Sequence, residues 1–145
     1  MRFTFPHPLA RLLPALLVVA FVFLLSGMGG SGSKIVRNIP EPDRAFTVQI
    51  RDVAARTYTV EKFSIEGVTY LPSHLGKAKL GIDFKRIARV DIHEQGDNFT
   101  ARIRFRDSTR QEVLLDPETT FSGQSKWGPI ELGIEDIASL EFATP

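Results

Sequence analysis

The segment LGIDFKRIARVDI, residues 80–92, recurs in its apolar skeleton in LGIEDIASLEF, residues 132–142. Aligned fifty positions apart, Leu80 meets Ile130, Ile82 meets Leu132, Phe84 meets Ile134, Ile87 meets Ile137, Val90 meets Leu140 and Ile92 meets Phe142. Every pair is apolar in both copies. A unit of this length with one apolar face cannot bury that face alone, so the second copy supplies the other wall of a shared core. Two copies are too few for a solenoid, which needs three or more.

The rest of each unit reads as strand. Phe46, Val48 and Ile50 alternate with Thr47, Gln49 and Arg51, and Phe99, Ala101, Ile103 and Phe105 alternate with Thr100, Arg102, Arg104 and Arg106. A period of two marks half-buried strands. Second strands follow at TYTVEKFSI (57–65) and QEVLLD (111–116), after short polar connections suited to hairpins. At Phe84, Ile87 and Val90 the spacing lengthens from two to three, which one continuous strand cannot hold without turning a side chain outward. The pattern predicts strand, a short helical turn tucking in Ile87 or Ile137, then strand again. Gly76 and Gly128 mark the approach to this segment in the two units. The fold expected is all-β: a small sandwich or partly closed barrel of roughly eight strands, built from two tandem units related by a pseudo-twofold.

The beginning of the chain reads as a leader. Arg2 and Arg11 flank LLPALLVVAFVFLL (12–25), which runs out into SGMGGSGS. Residues 1–33 are therefore expected to be a signal peptide or an N-terminal membrane anchor, carrying the protein across the cytoplasmic membrane. A helix of that apolar length rises roughly 21 Å against a hydrocarbon core of roughly 30 Å, which favours a cleaved signal. The absence of charge between Arg11 and Lys34 keeps a retained anchor open. Residues 34–44, with NIPEPD, read as a linker, and 45–145 as the duplicated domain.

Composition narrows function by exclusion. All seventeen acidic residues lie beyond position 28, with sixteen of the eighteen basic ones, so the chain after the leader has a net charge of −1. No nucleic-acid partner follows from such a balance. With no cysteine, disulfides, thiolate metal sites and cysteine nucleophiles are absent. His74 and His93, nineteen residues apart, have no metal-binding spacing, and the common catalytic motifs do not occur. The chain is read as non-enzymatic, with no cofactor.

The candidate binding residues are few. Arg102, Arg104 and Arg106 fall on one face of a strand about 7 Å apart, a ladder that could grip phosphate, a lipid head group or an acidic polysaccharide. The alternative is pairing with acids such as Glu112 or Asp91 across the strands. Tyr70, Phe121 and Trp127 precede the third strands, where they either stack on a ligand's sugar ring or plug the open end of a barrel. Lys77, Lys79, Lys85, Arg86 and Arg89 make the first unit's turn basic. At the equivalent places the second unit has Glu131, Glu135, Asp136 and Ser139, an asymmetry suited to head-to-tail association or to simple drift. The functional expectation is an exported β module for binding or envelope assembly, with an unknown envelope protein, glycan or lipid as partner. An anionic-glycan or lipid-binding module is the alternative, and a low-activity hydrolase a third.

Two resemblances bear on this. LLSGM at 24–28 resembles the bacterial lipoprotein box with Met28 in the position of the lipidated cysteine, which implies that lipid anchoring is lost. SKWGPIELGIEDIASLEF at 125–142 resembles a carboxy-terminal pattern of poorly characterised exported bacterial proteins: a glycine after an aromatic, a strand, a turn holding one isoleucine and a closing "IEF". Gly133 stands where a proline is common. The resemblance implies an exported β domain and carries no catalytic residues.

Overall fold

The computed structural model describes residues 39–144, so the predicted leader and the first part of the linker lie outside the described residues. The period-two segments become ten strands rather than eight: β1 (Val48–Asp52), β2 (Thr57–Ile65), β3 (Tyr70–Leu75), β4 (Ala78–Asp83), β5 (Ile87–Gln95), β6 (Asn98–Phe105), β7 (Arg110–Leu115), β8 (Thr120–Ser125), β9 (Gly128–Gly133) and β10 (Ile137–Phe142). They form one antiparallel sheet in the order β4-β3-β7-β6-β5-β10-β1-β2-β8-β9. The sheet curls into a half-barrel around a single apolar core, which is the partly closed barrel expected. β4 and β9 are its two edges. Among the described residues no helix is long and apolar enough to cross a membrane.

The change of spacing at Phe84 and Ile134 is a 3-10 turn in each copy, at Phe84–Arg86 and Ile134–Asp136. Three residues per turn suit an apolar residue that must point inward three positions before the next. The turn itself buries Phe84 and Ile134, whereas Ile87 and Ile137, fully buried, open the strands that follow. Both turns hang from the same bond: the Phe84 N–H donates to the Thr69 carbonyl at 3.2 Å, and the Ile134 N–H to that of Thr119 at 3.0 Å.

Replacing each strand by its counterpart in the other copy reverses the sheet order, so a pseudo-twofold lies between β5 and β10. The copies are contiguous in sequence but interleaved in space. The first hairpin, β1–β2, pairs through β2 with β8 of the second copy, and β7 of the second hairpin pairs with β3 of the first. Neither copy closes its own sheet. Registers confirm the match. Val48 faces Val60 as Ala101 faces Val113, and Glu61 faces Gln124 as Leu114 faces His74.

These registers put the hairpins 53 residues apart and the remaining strands fifty apart. The difference sits in one place. Seven residues separate Glu61 from Thr69, but four separate Leu114 from Thr119. The longer stretch holds a bulge in β2, Phe63, and a two-residue turn in which Glu66 and Gly67 both have positive φ and Ile65 and Val68 exchange backbone bonds. Phe63 is fully buried and its ring meets Phe84, Phe121 and Phe142 at centroid distances of 5.3, 6.0 and 5.7 Å. The central aromatic cluster thus depends on residues that only one copy possesses.

The described end of the linker is not a free tether. Pro40 packs on Gly67, where any Cβ would lie 2.7 Å from the proline ring, and the Glu41 carboxylate accepts from Lys62 at 2.8 Å. Arg44 donates to both oxygens of Asp83 at 3.1 Å and to the Thr69 hydroxyl, which in turn donates to Asp43 at 2.8 Å. Alternating prolines and charges read as linker from composition alone, because their partners lie 21 to 39 residues away.

Candidate functional site

Outward-facing side chains of a continuous antiparallel sheet line up in rows that cross the strands, and register dictates each row's membership. One row runs Arg110 (β7), Arg104 (β6), Arg89 (β5), Glu141 (β10), Gln49 (β1), Thr59 (β2). The next runs Glu112, Arg102, Asp91, Ser139, Arg51, Thr57. The first opens with three arginines on adjacent strands, about 5 Å apart at Cα.

Like charges directly opposite one another destabilise a sheet by up to about 1 kcal/mol per pair. Only part of this charge is answered within the protein. Arg89 donates through Nε and Nη2 to one oxygen of Asp91 at 2.9 and 2.8 Å, and its Nη1 lies 3.7 Å from Glu141. The hydrogen bond donated to Asp91, working against partial burial, holds the Arg89 guanidinium above its ordinary pKa. Arg102 sits 3.6 Å from Glu112. Arg104 and Arg110 have no ion pair among the described residues. Arg89, Arg102, Arg104 and Arg110, with Asp91 and Ile103, line an open hollow of about 260 Å³. Planar guanidinium forks at this spacing suit successive carboxylate, sulfate or phosphate groups held two oxygens at a time.

The predicted ladder is therefore rearranged. Arg102 and Arg104 alternate outward as expected, but Arg106 lies past the end of β6 and turns away. Its guanidinium donates to the carbonyls of Lys85 and Ala143, each at 2.9 Å, tying down the first 3-10 turn and the end of the chain. The row is completed across strands by Arg89 and Arg110 instead. Arg110 is invisible to a reading along one strand, because register with β6 is what brings it beside Arg104.

The aromatics separate as well. Phe121 is a core residue of β8, 1% exposed, whereas Trp127 is 79% exposed in the β8–β9 turn. Trp127 lines a groove of about 280 Å³ with Thr57, Thr59, Glu61, Gln124 and Lys126, whose ammonium sits 4.1 Å from the ring centroid. Thr57 and Thr59 close the two rows on β2, so groove and arginines share one outer face. β1, β10 and β5 lie between β2 and β6, a separation of roughly 19 Å along the sheet. Tyr70 is not part of this face's track. It lies on the far side of the His74–Leu114 pair from Arg110, with its ring over Gly81. His74 sits in the β3–β7 seam, His93 is exposed on β5, and no group of metal-ligating side chains occurs among the described residues.

The fold and face define an internally duplicated, single-sheet β half-barrel with a cationic row on its convex side. Residues 42–144 match a family model described as "Uncharacterised protein", and the chain belongs to that family. No curated protein matches the chain.

Proposed function

We propose that this domain is a non-catalytic binding module, exported by its leader, that holds an acidic glycan across the outer face of its sheet. The Arg110–Arg104–Arg89 row carries the reading. Three arginines on adjacent strands, two of them without acidic partners, form a cost in the isolated protein that an anionic ligand removes. Since the net charge beyond the leader is −1, attraction is local to the row rather than a property of the whole surface.

The rest of the face favours a glycan over a membrane. Neither row contains an apolar side chain to enter an acyl layer, while the exposed Thr57, Thr59 and Gln49 offer hydroxyl and amide partners. At the β2 end the exposed indole of Trp127 supplies a flat apolar surface against which a sugar ring can stack. The test is titration calorimetry of the full chain with alginate, a carboxylated polysaccharide, against dextran and against phosphatidylglycerol vesicles. The expected result is binding to alginate at least tenfold tighter than to dextran, weakening as salt shortens the screening length below about 10 Å. Equal binding to dextran, or vesicle binding as tight as alginate, overturns the proposal.

A further inference from the structure

The two edges of the sheet are equivalent under the pseudo-twofold and opposite in charge. β4 and the turns beside it carry Lys77, Lys79 and Lys85, the last 3.8 Å from Asp83, while β9 and the turns beside it carry Glu131, Glu135 and Asp136 against the single Lys126. Asp83, the acid on β4, is already engaged by Arg44 at 3.1 Å. Lys79 and Glu131 have no ion pair among the described residues. Neither strand has a second neighbour in the sheet.

An unpaired edge is a template for another strand, and proteins commonly blunt it with charge or proline. Charges of one sign on both edges would repel every copy. Opposite charges repel β4 from β4 and β9 from β9 but draw β4 of one molecule to β9 of the next. Direction agrees. With ten strands all antiparallel to their neighbours, β4 and β9 run in opposite directions, so copies placed side by side in one orientation meet antiparallel.

Side-chain alternation then selects a register. Leu80 and Ile82 on β4, and Ile130 and Leu132 on β9, are half-buried and packed against the core from the sheet's ends. Setting Lys79 opposite Glu131 places Leu80 opposite Ile130 and Ala78 opposite Leu132, apolar inward and opposite charges outward. Pro129 falls opposite Gly81 and removes at most one donor from the joint. We infer that the occupant of these edges is a second copy of this chain, joined head to tail from β4 to β9. Such a contact uses two different surfaces, so it propagates unless its rotation closes a ring. Joined copies would set their arginine rows on one continuous face.

The chain has no cysteine, which makes a covalent test clean. Residues facing one another across an antiparallel pair lie within the Cα separation a disulfide spans, about 4.4–6.8 Å. The full chain carrying both Lys79→Cys and Glu131→Cys, oxidised under mild conditions in a gentle detergent, is expected to give a ladder of trimers and larger species on non-reducing gels. Either single variant should stop at dimers. A double variant that forms nothing beyond a dimer, or a monomer whose two thiols have closed on each other, overturns the inference. Charge reversal adds a second readout by light scattering. Lys79→Glu and Glu131→Lys should each be monomeric alone and should assemble when mixed, since each restores the opposite sign the other lacks. A mixture that stays monomeric, with both proteins folded by circular dichroism, contradicts it.

Discussion

The two halves of the sheet are built from one repeated plan, yet the seams that join them are not equally made. At the β2–β8 seam the first copy's three additional residues extend the pairing from Glu61–Gln124 to Ser64–Ser122 and Ile65–Phe121, and the two serine hydroxyls meet at 3.3 Å. At the β3–β7 seam only His74 and Leu114 pair, Leu114 is left exposed, and the buried Ser73 hydroxyl has no hydrogen-bond partner. Gly123 and Ser73 are equivalent positions. A Cβ at Gly123 would lie 2.3 Å from Val60 Cγ1 and 2.7 Å from the Glu61 carbonyl, so the tight seam demands glycine where the loose one admits a side chain. A short insertion in one copy decided which seam closes.

The largest effect should come from removing what only one half has. Phe63→Ala empties the centre of the aromatic cluster and is expected to cost about 3–5 kcal/mol in urea denaturation. Gly123→Ala forces the β2 bulge away from β8 and should cost about 1–3 kcal/mol, in the range for overpacking. Alanine at the equivalent position of the loose seam carries no such cost. Ser73→Ala removes a buried hydroxyl that lacks a partner and should be neutral or stabilise by about 1 kcal/mol. Equal costs for Gly123→Ala and Ser73→Ala would dissolve the distinction between the seams.

The smallest effect concerns the segment that crosses onto the first half. Burial alone would raise the Asp83 pKa, but the Lys85 N–H and the Arg44 guanidinium outweigh it and hold the carboxyl below its ordinary value of 3.8. A depressed carboxylate contributes stability in full above the unfolded value and loses it as pH falls through the folded one. The wild type should therefore lose more stability than Arg44→Ala as the pH drops below 3.8. Parallel pH profiles would mean that the Arg44–Asp83 pair does not fasten this segment.

Much of the architecture was legible because burial imposes period two on strands and period three on a 3-10 turn. The change of spacing located both turns, but it pointed to Ile87 and Ile137 as their buried residues where Phe84 and Ile134 fill that place. The hairpin connections were legible from their shortness and polarity, although Ala55 and Ser108 occupy positive-φ positions where glycine would have been the signal. The interleaving of copies left no mark along the chain, because strand partners are chosen by geometry rather than by neighbours in sequence. The same holds for the site. Arg102 and Arg104 could be found by alternation, but Arg110 and Arg89 join them only through register, and Arg106 leaves because β6 ends before it.

The pseudo-twofold also provides the internal control for function. Arg110, Arg104 and Arg89 correspond to Thr57, Arg51 and Ser139, which form an equivalent row on the other half with a single arginine. The measurement that tests the account most directly is alginate affinity of Arg104→Glu beside Arg51→Glu, with folding checked by circular dichroism. Arg104→Glu should weaken binding at least tenfold, about 1.4 kcal/mol, and Arg51→Glu by no more than about a third of that free energy. Equal losses from the two variants, or none from Arg104→Glu, would contradict the claim that the three-arginine row is the binding site.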